Sequence, residues 1–73
     1  MRTLADVEIG ERTTVRRLHG TDTAKRRLLS MGLTKGAAVE LRKLAPLGDP
    51  LELTVRGYEL SLRRADAACV EVE

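Results

Sequence analysis

Aromatic residues are almost missing from this 73-residue chain: no Trp, no Phe, and one Tyr, at position 58. Readers of single-stranded nucleic acid stack bases on aromatic rings, and proline-rich peptides dock in aromatic-lined grooves. One Tyr furnishes neither surface. Cysteine and histidine are equally scarce, with one Cys (Cys69) and one His (His19). A single Cys excludes an intramolecular disulfide and a CxxC metal pair, and it fits a reducing compartment. Covalent catalysis needs a nucleophile, a base and an orienting group within reach. Nothing in the sequence brings His19 and Cys69 together, and no Walker-type or GxGxxG phosphate loop is present. Carboxylates are scattered rather than set at ligand spacing. Glu71 and Glu73 share a strand face but read as a solvated edge. No enzyme activity, no cofactor and no high-affinity metal site within one chain are expected. A weak metal site at an oligomer contact stays open.

Charge of one sign is also missing. Lys+Arg total 13 against Asp+Glu 11, a formal net charge of +2. The basic knots Arg16-Arg17, Lys25-Arg26-Arg27, Arg42-Lys43 and Arg63-Arg64 are interleaved with acids, so they read first as solvated faces. No apolar run approaches the roughly 20 residues of a membrane helix. The opening Met1-Arg2-Thr3-Leu4-Ala5-Asp6 turns acidic at once, unlike a secretory leader. The expectation is a cytoplasmic protein that is not membrane-inserted and binds no nucleic acid.

What remains is enough for one small domain built on Leu, Val and Ala. Thr3-Leu4-Ala5-Asp6 has the form of a capping box, and a short turn there tucks Leu4 and Val7 inward. Thr13 to Leu18 reads as a strand. Val15 and Leu18 lie three apart, so strict alternation fails and a bulge is expected. A helix follows from about Thr23 to Met31, with Thr21 or Asp22 as N-cap. Ala24, Leu28 and Met31 form one buried stripe, and Lys25 and Arg26 face water. Gly32 falls at the C′ position, where a left-handed residue is needed, and Leu33 should contact Leu28. The helix carries its cations early, against the macrodipole, a hint that this face serves something other than stability.

After a turn at Thr34-Lys35-Gly36, a strand runs from Val39 to Leu44. Ala45-Pro46-Leu47-Gly48-Asp49-Pro50 is a compact loop. Leu51, Leu53 and Val55 then alternate with polar residues, as do Tyr58, Leu60 and Leu62, so Tyr58 reads as core. Arg56-Gly57 between them is a tight hairpin turn. A helical turn at Ala65–Ala68 precedes a last strand, Val70–Val72. The reading is mainly β: a small SH3-like five-stranded barrel, one domain over residues 1–73, with one short α-helix inserted after the first strand. Closing such a sheet would remove exposed edges. The core of so short a chain is thin, which leaves room for a partner or weak self-association.

Two features favour an interaction module. Leu47 stands near a loop tip, where polar residues are usual; it either folds back over the barrel mouth or serves as an apolar anchor. The Lys25-Arg26 face is the second. Leu47, Asp49, Lys25 and Arg26 are the candidate partner-binding residues. Gly32, Gly36, Gly57, Leu28 and Leu33 are structural.

Specific residues carry a family resemblance across nearly the whole chain. They are Leu28-Leu29-Ser30-Met31-Gly32-Leu33 with Gly36, then Ala45-Pro46-Leu47-Gly48-Asp49-Pro50, then Ser61-Leu62-Arg63-Arg64 with Ala67 and Val70-Glu71-Val72. Leu4 and Gly10 fit upstream. The chain resembles ferrous iron transport protein A, the FeoA family. That resemblance implies a cytoplasmic SH3-like accessory of bacterial ferrous iron uptake, without catalytic activity. Its implied partner is FeoB, a membrane transporter with a cytoplasmic GTP-binding domain. No residue set matches a family metal site, so none is carried over. Two alternatives stay open: an SH3-like barrel that binds structured RNA, and a free-standing relative of the C-terminal domain of iron-dependent repressors. A chain of this length without a winged-helix half resembles the transporter accessory better.

Overall fold

A computed structural model describes residues 1–73. A capped 3-10 turn at Leu4–Asp6 opens the chain; Thr3 Oγ1 accepts from Ala5 N–H, and Asp6 Oδ2 accepts from Thr3 N–H at 2.9 Å. β1 (Arg12–Leu18) leads into α1 (Asp22–Ser30), which is followed by β2 (Ala38–Leu44). A second 3-10 turn at Pro46–Gly48 connects to β3 (Leu51–Val55) and β4 (Tyr58–Leu62). A single helical turn, α2 (Arg64–Ala67), precedes β5 (Val70–Val72).

All five strands join one antiparallel sheet in the order β4-β3-β2-β1-β5. The small SH3-like barrel is this sheet curled over one core of Leu, Val and Ala. The expected bulge in β1 is present: the register against β5 shifts between Val15 and Arg17. A second shift lies between Leu41 and Lys43 of β2. Such extra residues sharpen strand twist, which lets a short sheet curl. One expectation changes. β4 and β5 end the order without pairing to each other, so curling alone does not remove the edges.

The helix is capped as its sequence suggests. Thr21 Oγ1 accepts from Ala24 N–H at 3.1 Å. Gly32 has φ +92°, and Leu33 N–H reaches Leu28 O at 3.2 Å while Gly32 N–H reaches Leu29 O at 3.0 Å. This pair of bonds is a full Schellman motif, and it turns Leu33 back onto Leu28. Both side chains are fully buried. Two details differ from expectation. Met31 is exposed, because the helix stops at Ser30 and the reversal at Gly32 gives the next buried place to Leu33. Ala24 is only half-buried. Asp22 occupies the first helical turn and Lys25 and Arg26 fall mid-helix, where the macrodipole's end charges have faded, so the electrostatic hint is weaker than it reads.

In the β3–β4 hairpin Arg56 and Gly57 have φ +50° and +85°, the left-handed pair of a type I′ turn. Leu51, Leu53, Val55 and Leu62 are buried as their alternation predicts. Tyr58 is not: it is 78% exposed. Its face is the predicted one, but β4 is the edge strand. The core is covered as far as Val55, which lies under Gly32, and no element lies over Tyr58.

Candidate functional site

The loop between β2 and β3 holds the most unusual side chain. Pro46 starts a turn closed by Gly48 N–H to Ala45 O at 2.8 Å. Leu47 and Gly48 both have left-handed backbones, with φ 70° and 81°. For Gly48 that is cheap; for Leu47 it costs on the order of 1 kcal/mol or more. Leu47 is nevertheless fully exposed, at 104% of its reference area. It does not fold back over the barrel mouth.

A bracket of hydrogen bonds maintains this loop. The Arg64 guanidinium donates to Gly48 O from Nε (3.0 Å) and Nη2 (2.9 Å), and to Ala5 O from Nη1 (3.0 Å). Arg64 N–H donates to Asp49 Oδ1 at 3.0 Å, and Ala45 N–H closes the loop base on Pro50 O at 3.0 Å. Loop, N-terminal turn and α2 thus meet on one planar cation, whose fork of fixed donors suits several carbonyls at once. The result is an apolar side chain projected into solvent by a held backbone.

The other candidate residues are placed as follows. Asp49 is exposed, with one carboxylate oxygen engaged by Arg64 N–H. Lys25 is half-buried and Arg26 exposed, and neither forms an ion pair. No hydrogen bond joins them to the Leu47 loop. What lies between is α2: Asp66 accepts from Arg27 of α1 at 2.7 Å, while Arg64 holds the loop. Gly36 and Gly57 have φ +85°, as their turns require.

Arg64 was missed by sequence reading, because Arg63-Arg64 looks like any solvated basic pair. Its one signal is its position at the start of a helical turn. His19 is half-buried. Its ring pairs with Glu71, at 2.7 Å between Nε2 and Oε1, and not with the Cys69 thiol, whose contact is Ala65 O at 3.7 Å. The His19 hydrogen bond, opposed by partial burial and aided by the charges of His19 and Arg16, holds Glu71 below the ordinary glutamate range. No three His, Cys, Asp or Glu side chains lie together in a way that could hold a metal ion.

This arrangement sits on a chain whose residues 2–73 match the family model of the FeoA domain. The chain belongs to the FeoA family. It is 36% identical over 70 residues to an Fe(2+) transport protein A/Fe(2+) transporter FeoB fusion protein of Porphyromonas gingivalis; the match covers 96% of the chain but 8% of that fusion. A FeoA-like protein from Clostridium acetobutylicum is 35% identical with a TM-score of 0.91, covering 97% of this chain and 83% of that one. Stenotrophomonas maltophilia FeoA, solved complexed with zinc and described as a procaryotic SH3 domain protein, is 30% identical with a TM-score of 0.80; the match covers 100% and 91% of the two chains. The manganese-activated repressor ScaR shares the fold at 22% identity, which shows a likeness of architecture alone. No helix in the chain is long and apolar enough to cross a membrane.

Proposed function

We propose that this FeoA domain is a non-catalytic accessory of ferrous iron uptake that works in the cytoplasm by docking on the cytoplasmic part of a FeoB-type transporter. The observation that carries the reading is Leu47, fully exposed on a loop held by Arg64. An anchor whose backbone is already fixed loses little freedom on binding, so more of its burial appears as affinity. The basic face of α1, Lys25 and Arg26, forms the charged part of the same dock, on the other side of α2. The Porphyromonas gingivalis relative supports the choice of partner, because both proteins are joined there in one chain.

The test is Leu47→Ala combined with Lys25→Glu, measured by calorimetric titration against the transporter's purified GTP-binding domain. Affinity should fall about tenfold or more, the scale of a lost apolar anchor. The thermal unfolding midpoint should barely move, since neither side chain is in the core. Unchanged affinity with an intact fold would refute the dock. Binding of structured RNA is separated by salt, because phosphate contacts weaken steeply with ionic strength and an apolar dock does not.

A further inference from the structure

The two ends of the sheet are treated differently. The outer edge of β5 is covered by the chain's own N-terminal segment: Thr3 bridges Glu71, and Val72 N–H donates to Arg2 O at 2.9 Å. The outer edge of β4 is left open. The two-residue turn makes Val55 and Tyr58 a mutually hydrogen-bonded pair, so Leu53–Leu60 and Leu51–Leu62 follow in alternation. The N–H and C=O groups of Glu59 and Ser61 therefore point away from β3, and neither residue makes a backbone hydrogen bond elsewhere. Edges of this kind are usually blunted by Pro, Lys or a bulge. β4 has none of these, and its register against β3 is continuous.

A second observation lies beside that edge. A groove of about 380 Å³ separates β4 from α1. Arg27 and Met31 line its helix side, Ser61 and Arg63 its strand side, and Ala65 and Asp66 its end. Asp66 is engaged by Arg27, whereas Arg63 is exposed and has no carboxylate within ion-pair distance. Glu59, at the other end of the edge, is likewise unpaired and exposed.

We infer that the β4 edge and this groove bind an extended segment of a partner protein by strand addition. The segment pairs through its backbone with Glu59 and Ser61 and sets an apolar side chain over Met31 and Ala65. Charge complementarity gives it a polarity, with a carboxylate at the Arg63 end and a cation at the Glu59 end. Backbone pairing supplies affinity in this mode and alternate side chains supply selectivity. This surface is separate from the Leu47 loop and does not depend on which partner that loop takes.

The experiment titrates the ¹⁵N-labelled chain with two synthetic peptides, DTVTVTK and KTVTVTD, which present the charges for antiparallel and parallel addition. KTVTVTK is the control. One of the first two should bind tighter than the control and slow amide exchange at Glu59 and Ser61 by about tenfold or more at saturation. Ser61→Pro removes the outward N–H but no bond to β3, as Pro is tolerated on the open side of an edge strand. It should lower peptide affinity about tenfold with the other amide resonances in place. Arg63→Glu, at an exposed position, should shift preference to KTVTVTK. The proposal is overturned if neither peptide protects Glu59 and Ser61, or if the control binds as well. It is also overturned if these amides become protected with rising concentration of the chain alone, which would give the edge to a second copy.

Discussion

Arg64→Ala removes three side-chain donors from two backbone carbonyls, Gly48 O and Ala5 O, at 2.9–3.0 Å. The two bonds to Gly48 share one oxygen, so they count as a single charge-assisted interaction. With net hydrogen bonds near 1 kcal/mol, and somewhat more from a charged donor, the loss is about 2–3 kcal/mol. A domain of this size rarely has more than about 3–5 kcal/mol in total, so the variant should be marginal at 25 °C. At roughly 4–8 °C per kcal/mol, the midpoint should drop by about 10–20 °C. Arg64→Lys keeps the charge but not the fork and should recover less than half of the loss. The chain has no Trp, so far-UV circular dichroism in urea and on heating is the suitable probe. Amide relaxation at Leu47 and Gly48 should also show new fast motion in whatever fraction stays folded. A loss below about 0.5 kcal/mol would refute the reasoning, because that is the scale of an ordinary surface substitution. A rigid Leu47 in the folded variant would show that the loop is held by something other than Arg64.

Two further outcomes follow from the geometry. Gly32→Ala should cost about 1 kcal/mol in urea unfolding: its added methyl has room, meeting only Val55 at 3.9 Å, so the cost is the φ of +92° alone, and a neutral result would overturn the helix stop. Glu71 has a folded pKa lowered below its ordinary 4.5, so its contribution is fully present above that value and is lost as pH falls through the lowered folded pKa. Glu71→Gln should therefore flatten the acid limb of the stability curve below about pH 4.5, as measured by unfolding across a pH series.

Much of the fold could be read because its signals are local. Gly32 and Leu33 announce the helix stop, Arg56-Gly57 the hairpin, and the broken alternation at Val15 and Leu18 the bulge, each within a few positions. The errors share another cause. Periodicity reports which face a side chain occupies, not how far cover extends over that face. Tyr58 has the right face and no cover; Met31 has the right spacing and a helix that has already ended. The site was half legible for the same reason. Leu47 stands out as a leucine at a loop tip, but what holds it there is Arg64, which reaches Ala5 from 59 positions away. A bond of that span leaves no mark on neighbouring residues. His19 and Glu71, 52 positions apart, escaped in the same way.

The strap that covers β5 has a topological consequence. Arg2 O accepts from Val72 N–H, and Arg2 Nη1 donates to the carbonyl of Glu73 at 2.8 Å, so residues 2 and 73 lie side by side. A short bridging peptide would join them at little loop-closure cost. The sheet's order would then survive as a ring with no natural starting point. A neighbouring sequence added at either end would leave from the same corner of the barrel, beside β5.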